Sequence, residues 1–126
     1  MGVFCLTVIL FTLIMSLLLI HEMDAIRTKE WKMFIILKDM SDETAYRIFT
    51  LAHLPLYFAA VFILIQGGTT ANTILFYVLD IFLTGHTLVH YFFRKNLNNG
   101  FGSAFSKIII YVLGILALIH MICISL

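Results

Sequence analysis

Charge, proline and paired cysteine motifs are all scarce in this 126-residue chain, and each shortage removes a class of protein. Only 12% of residues are Asp, Glu, Lys or Arg. A soluble domain carries about a quarter, so this chain cannot coat a water-facing globule. Eight basic and seven acidic residues leave a net charge of +1, which excludes the strongly basic footprint of a nucleic-acid binder. One proline excludes a collagen-like or Pro-rich disordered chain. Cys5 and Cys123 stand near opposite chain ends, with no CxxC or Cys/His zinc spacing, so a disulfide scaffold and a zinc finger are excluded too. They are either buried free thiols or one disulfide between two ends on the same side of a membrane. What is abundant is apolar: 62% hydrophobic residues, including 12 Phe. Four membrane crossings of about 20 residues each would use most of such a chain.

The first apolar run is uncharged through Ile20 and is interrupted only by Thr7, Thr12 and Ser16, whose hydroxyls a helix satisfies on its own carbonyls. With no basic residue before it and no small-residue cleavage site after it, it reads as a retained span over about 3–21. A second span, about 45–66, begins after Ser41-Asp42-Glu43, a cap with two acids in the first turn, and stops at Gly67-Gly68. Pro55 removes a backbone donor and should kink this helix within a turn of His53. The third, about 72–93, ends in Arg94-Lys95 and the turn-rich Asn96-Leu97-Asn98-Asn99-Gly100; the fourth covers about 103–125. The expectation is an all-α integral membrane four-helix bundle, up-down-up-down, forming a single membrane domain over 1–126.

The eight basic residues sort to one side. Arg27, Lys29, Lys32, Lys38 and Arg47 lie between the first two spans, and Arg94, Lys95 and Lys107 between the last two. The positive-inside rule puts both connections in the cytoplasm and both termini outside. The connector 22–44 is too charged to cross, yet it mixes Trp31, Phe34, Ile35 and Ile36 with Arg and Lys. That pattern fits a short amphipathic helix or helical turn in the headgroup layer, anchored by Trp31, or else a plain snorkelling connector; its cations attract anionic lipid.

Polar groups inside hydrocarbon are costly, so those present point to a site. By helix rise, His53 lies roughly 12 Å into its span, His86 and His90 roughly 12 and 6 Å from Arg94, and His21 about 9 Å from Arg27. Four histidines from three spans therefore reach one layer near the cytoplasmic face, with Glu22 beside them. His86 and His90 are spaced i, i+4 and share a helix face. Imidazole and carboxylate groups from neighbouring helices are how bundles build metal centres, so His21, Glu22, His53, His86 and His90 are the candidate ligands. Gly85, next to His86, would permit close approach of a neighbouring helix or a ligand. Asp24, three residues after His21, could orient its ring. His120 is roughly 26 Å along the fourth span, an interfacial or hydrogen-bonded group. Asp80 sits about 20 Å from Arg94, with Tyr77, Thr84, Tyr57 and Tyr111 as candidate partners, and serves as a proton relay, as a group that orients His86, or as a neutral structural carboxyl.

The block His21-Glu22-Met23-Asp24-Ala25-Ile26-Arg27, with Lys29-Glu30-Trp31, His53-Leu54-Pro55-Leu56-Tyr57 and His86-Thr87-Leu88-Val89-His90, resembles a family of small bacterial four-span proteins of unknown function. That resemblance implies a bacterial inner-membrane location and covers most of the chain. The pair His86 and His90, with three residues between them, is similar, more distantly, to one box of the membrane di-iron hydroxylases and desaturases, which draw on several boxes where this chain has five histidines in all. His21-Glu22 begins like the HExxH of intramembrane metalloproteases, but Ala25 stands where the second His belongs.

Three functions remain open. A site holding zinc or iron, with Glu22 and Asp80 as catalytic groups, would hydrolyse or oxidise a membrane lipid. Loss of metal in His86→Ala and in His53→Ala is what that reading expects. A b-type haem held by two histidines is the second. A non-catalytic small subunit, assembly factor or ion-conducting oligomer, as a homo-oligomer or in a larger membrane complex, is the third, its histidines satisfying one another by hydrogen bonds and Gly114 and Ala117 offering a close-packing face. Membrane lipid is the expected partner in each, and nucleic acid in none.

Overall fold

The computed structural model describes residues 2–66, 70–96 and 99–126, with side chains described except at 2–5, 64, 66 and 70–72. Five α-helices make four spans. Helix α1 covers Gly2–Thr28, α2 Asp42–Ala52, α3 Leu54–Gln66, α4 Thr70–Phe92 and α5 Ala104–Ser125. Among the described residues, four stretches are long and apolar enough to cross a membrane: Leu6–Thr28, Asp42–Ile63, Thr73–Lys95 and Ala104–Ser125. Apolar side chains such as Met23, Leu51, Ile65 and Ile122 stand on the outside, a surface that hydrocarbon accepts and water does not. The chain is a helical membrane protein.

The local signals act as their chemistry dictates. The Ser41 side chain accepts from the Thr44 N–H at the start of α2, and the Ser103 side chain from the Ser106 N–H at the start of α5. The second span breaks at His53, between α2 and α3, because Pro55 lacks the N–H that would continue the ladder. Helix α1 runs further than the apolar pattern, through His21, Glu22 and Asp24 to Thr28, with Arg27 in its last turn bonding Asp24 at 2.7 Å. It is stopped by Lys29, whose left-handed backbone, φ 54°, turns the chain sharply and aims the next residue, Glu30, back at the bundle. The Gly67-Gly68 stop lies outside the described residues, as does the Cys5 side chain that a disulfide with Cys123 would need.

Helix α5 packs between α1 and α4, and α3 leans on α4. Phe11, Ile14, Leu18, Ile63, Leu83, Ile110 and Leu113 fill the shared core. Tyr77, early in α4, bonds Ser125 at the end of α5 at 2.8 Å, so these helices are antiparallel. A Cβ added to Gly100 would collide with Thr28, so the two connections press together at one end of the bundle.

Two expectations need correction. The connector carries its helical turn as a 3₁₀ turn, Glu30–Met33, followed by turns up to Met40, but Trp31 does not point outward as a headgroup anchor. Its ring is only 4% exposed and packs against Tyr46 and Phe49, because the reversal at Lys29 folds this segment under α2. The close helix approach is made by Gly114 and not by Gly85: a Cβ on Gly114 would lie 2.6 Å from Thr87 Oγ1, whereas one on Gly85 meets nothing within 4 Å. Gly114 and the fully buried Ala117 are thus used inside the bundle, between α5 and its own neighbours.

Candidate metal centre

At the connector end, three segments bring imidazoles and a carboxylate together. Helix α1 supplies His21, α4 supplies His86 and His90 from one face, and the 3₁₀ turn supplies Glu30. His21 Nε2 and His86 Nε2 are 2.9 Å apart. The Glu30 carboxylate lies 3.6 Å from His21 Nε2, 3.5 Å from His86 Nε2 and 3.2 Å from His90 Nε2, and His90 donates to it. One donor atom from each of the four residues falls within 4.8 Å of all the others. A tetrahedral zinc with bonds of about 2.0–2.1 Å spaces its ligands by about 3.3 Å, so the donor set is close to coordination geometry.

Burial sharpens the site. His21 is 0% exposed and Glu30 2%, and His86 is the more open member. Burial pushes the Glu30 carboxyl up, but the hydrogen bond from His90 and the surrounding imidazoles outweigh it and hold the group below its ordinary value. The Nδ1 atoms of His21 and His90 have no hydrogen-bond partner among the described residues. Phe101 sets those rings instead, with its centroid 5.5 Å from His21 and 4.5 Å from His90.

The other expected site residues form two separate pairs. Glu22 Oε2 and His53 Nε2 stand 3.2 Å apart, outside the four-residue group. His53 Nδ1 donates to the Phe49 carbonyl at 2.7 Å, so the Nε2–Glu22 contact is held by one shared proton. Asp80 pairs with His120, whose Nδ1 donates at 2.7 Å, and both are fully buried between α4 and α5. None of the tyrosines or Thr84 takes that role; Tyr77 is engaged with Ser125. Asp24 bonds Arg27 and does not hold the His21 ring. Glu30 is the member that spacing alone misses. Its sequence signal is only an acid beside Trp31 and between Lys29 and Lys32, which becomes meaningful only once the chain reverses at Lys29.

Glu30, His53 and His86 also line a cavity of about 560 Å³ between α2–α3 and α4. The fold and the cluster together define a four-span helical membrane protein with a buried group of three histidines and one glutamate able to hold a metal ion. The chain belongs to the family of unknown function DUF6713, which matches residues 7–126. No curated protein and no solved structure was found to match it.

Proposed function

We propose that this protein binds one divalent transition-metal ion through His21, Glu30, His86 and His90, and uses it on a membrane lipid. The observation that carries the reading is the convergence of three imidazoles and one carboxylate, from three segments, with one donor atom of each within 4.8 Å of the others. Imidazole-rich donors favour zinc or iron over magnesium or calcium, which prefer all-oxygen sites. Glu30 and His86 face the apolar cavity, so a ligand dissolved in the bilayer reaches the centre without crossing water. Hydrolysis by zinc and oxidation by iron both suit such a substrate. Glu22, next to His21 and paired with His53 on the cavity wall, is the acid–base candidate. Haem is not proposed, because donors this close leave no gap for a porphyrin between two axial histidines.

A non-catalytic reading draws on the same distances. The His21–His86 and His90–Glu30 contacts, at 2.9 and 3.2 Å, are also those of a self-satisfied hydrogen-bond network. Elemental analysis of detergent-purified protein that never met an immobilised-metal column separates the two. One zinc or iron per chain is the expected result; protein free of both, after growth with both supplied, sinks the metal centre and leaves the network.

A further inference from the structure

Two cavities, of about 560 and 690 Å³, meet at Glu30. The first runs along α4, lined by Val78, Phe82 and His86 at i, i+4, i+8, and opposite by Ala52, Pro55 and Leu56 at the α2–α3 break. From His86 to Val78 it extends about 12 Å, most of one leaflet of the roughly 15 Å half-bilayer. Its polar groups, Glu30, His53 and His86, form one band in the lining, with Leu56 and Val78 deeper in the spans and Phe34, Leu37 and Ile48 on the connector side, all apolar. A polar linkage partway along an apolar molecule, such as the ester of a lipid, matches that lining. The rim has a sign as well. Lys38, Arg94, Lys95 and Lys107 are exposed at this end with Asp39 as a nearby exposed acid, while Arg27 is paired with Asp24 and Arg47 with Glu43, so cations still outnumber carboxylates. Lys29 and Lys32 share the single carboxylate of Asp42, which leaves that pair a net cation.

We infer that this slot holds one acyl chain of an anionic membrane lipid, its polar end against Glu30, His53 and His86 and its headgroup under the basic rim. The inference names the ligand class of the proposed metal centre and rests on that reading for the chemistry at the polar end. The slot opens within the spans, where hydrocarbon is the ambient medium, and the excess of cations selects the anionic headgroup.

The test uses purified full-length protein exchanged into micelles containing equimolar phosphatidylglycerol and phosphatidylcholine, then freed of loose lipid by gel filtration. Retained lipid is measured by mass spectrometry and metal by elemental analysis on the same samples. Wild type should keep one phosphatidylglycerol per chain. Ala52→Trp and Val78→Trp, which fill the slot from opposite walls, should each lower retention roughly tenfold with metal unchanged. Ile122→Trp, on an exposed face away from the slot, should retain lipid like wild type. Equal retention in all four proteins, or preferential phosphatidylcholine, overturns the inference. So does absence of lipid from metal-loaded wild type; a dimer in that case would assign the slot to a second copy. The lipid pattern without metal would sink the metal reading and leave the lipid site standing.

Discussion

Glu30 sits among three imidazole Nε2 atoms at 3.2–3.6 Å, so an amide in its place removes the one anionic donor while keeping shape. Glu30→Gln and His86→Ala should each weaken metal binding by more than about 100-fold, beyond the roughly 10–100-fold typical of groups that only orient a ligand. His53→Ala and Glu22→Gln should stay within that smaller range, since their pair stands outside the donor set. Asp80→Asn should leave metal content unchanged, because its partner is His120. Competitive titration against a chromophoric chelator measures all five; equal loss in His53→Ala and His86→Ala would place His53 among the ligands. The layer in which His21, His86 and His90 meet was legible from helix rise alone. Which acid joins them was not, because Glu22 is adjacent in sequence whereas Glu30 arrives through a left-handed turn at Lys29 that no spacing rule announces.

At the scale of the helix, two glycines with the same sequence signature have opposite environments. At Gly114, a methyl would press on Thr87, a stiff β-branched side chain whose hydroxyl already bonds the Leu83 and Ile110 carbonyls at 3.0 and 3.1 Å. Gly114→Ala must push α4 and α5 apart and should cost about 1–3 kcal/mol. Gly85 has open space, so Gly85→Ala gains the reduced backbone freedom of the unfolded chain and should stabilise by about 0.5–1 kcal/mol. Unfolding in detergent followed by helical circular dichroism checks both signs, and two shifts of the same sign would refute the packing described. Spans, caps and the break near His53 could be read from pattern because each depends on local chemistry, such as Ser41, Ser103 and Pro55. The place of α5 between α1 and α4 is the neighbour order an up-down-up-down bundle expects, but the residues by which they touch, such as Gly114 against Thr87, depend on side-chain volumes distant in sequence.

For the whole molecule, the decisive asymmetry is between its two ends. Thr28 against Gly100 joins both connections at one end, and Tyr77 with Ser125 marks the other, so a single axis orders the chain across the bilayer. Along that axis all eight Lys and Arg fall on the connector side, and the buried cluster of His21, Glu30, His86 and His90 lies on the same side. Lys and Arg in short connections are retained on the cytoplasmic side of a membrane, and this bias sets orientation. The connector end should therefore face the cytoplasm, which would also place the site where cytoplasmic metal and inner-leaflet anionic lipid meet. The check is cysteine accessibility in a Cys5→Ser, Cys123→Ser background. In intact cells a membrane-impermeant maleimide should label Asn72→Cys and spare Lys38→Cys until the membrane is opened. The reverse pattern would turn the molecule over, presenting both the site and its lipid slot to the outer leaflet.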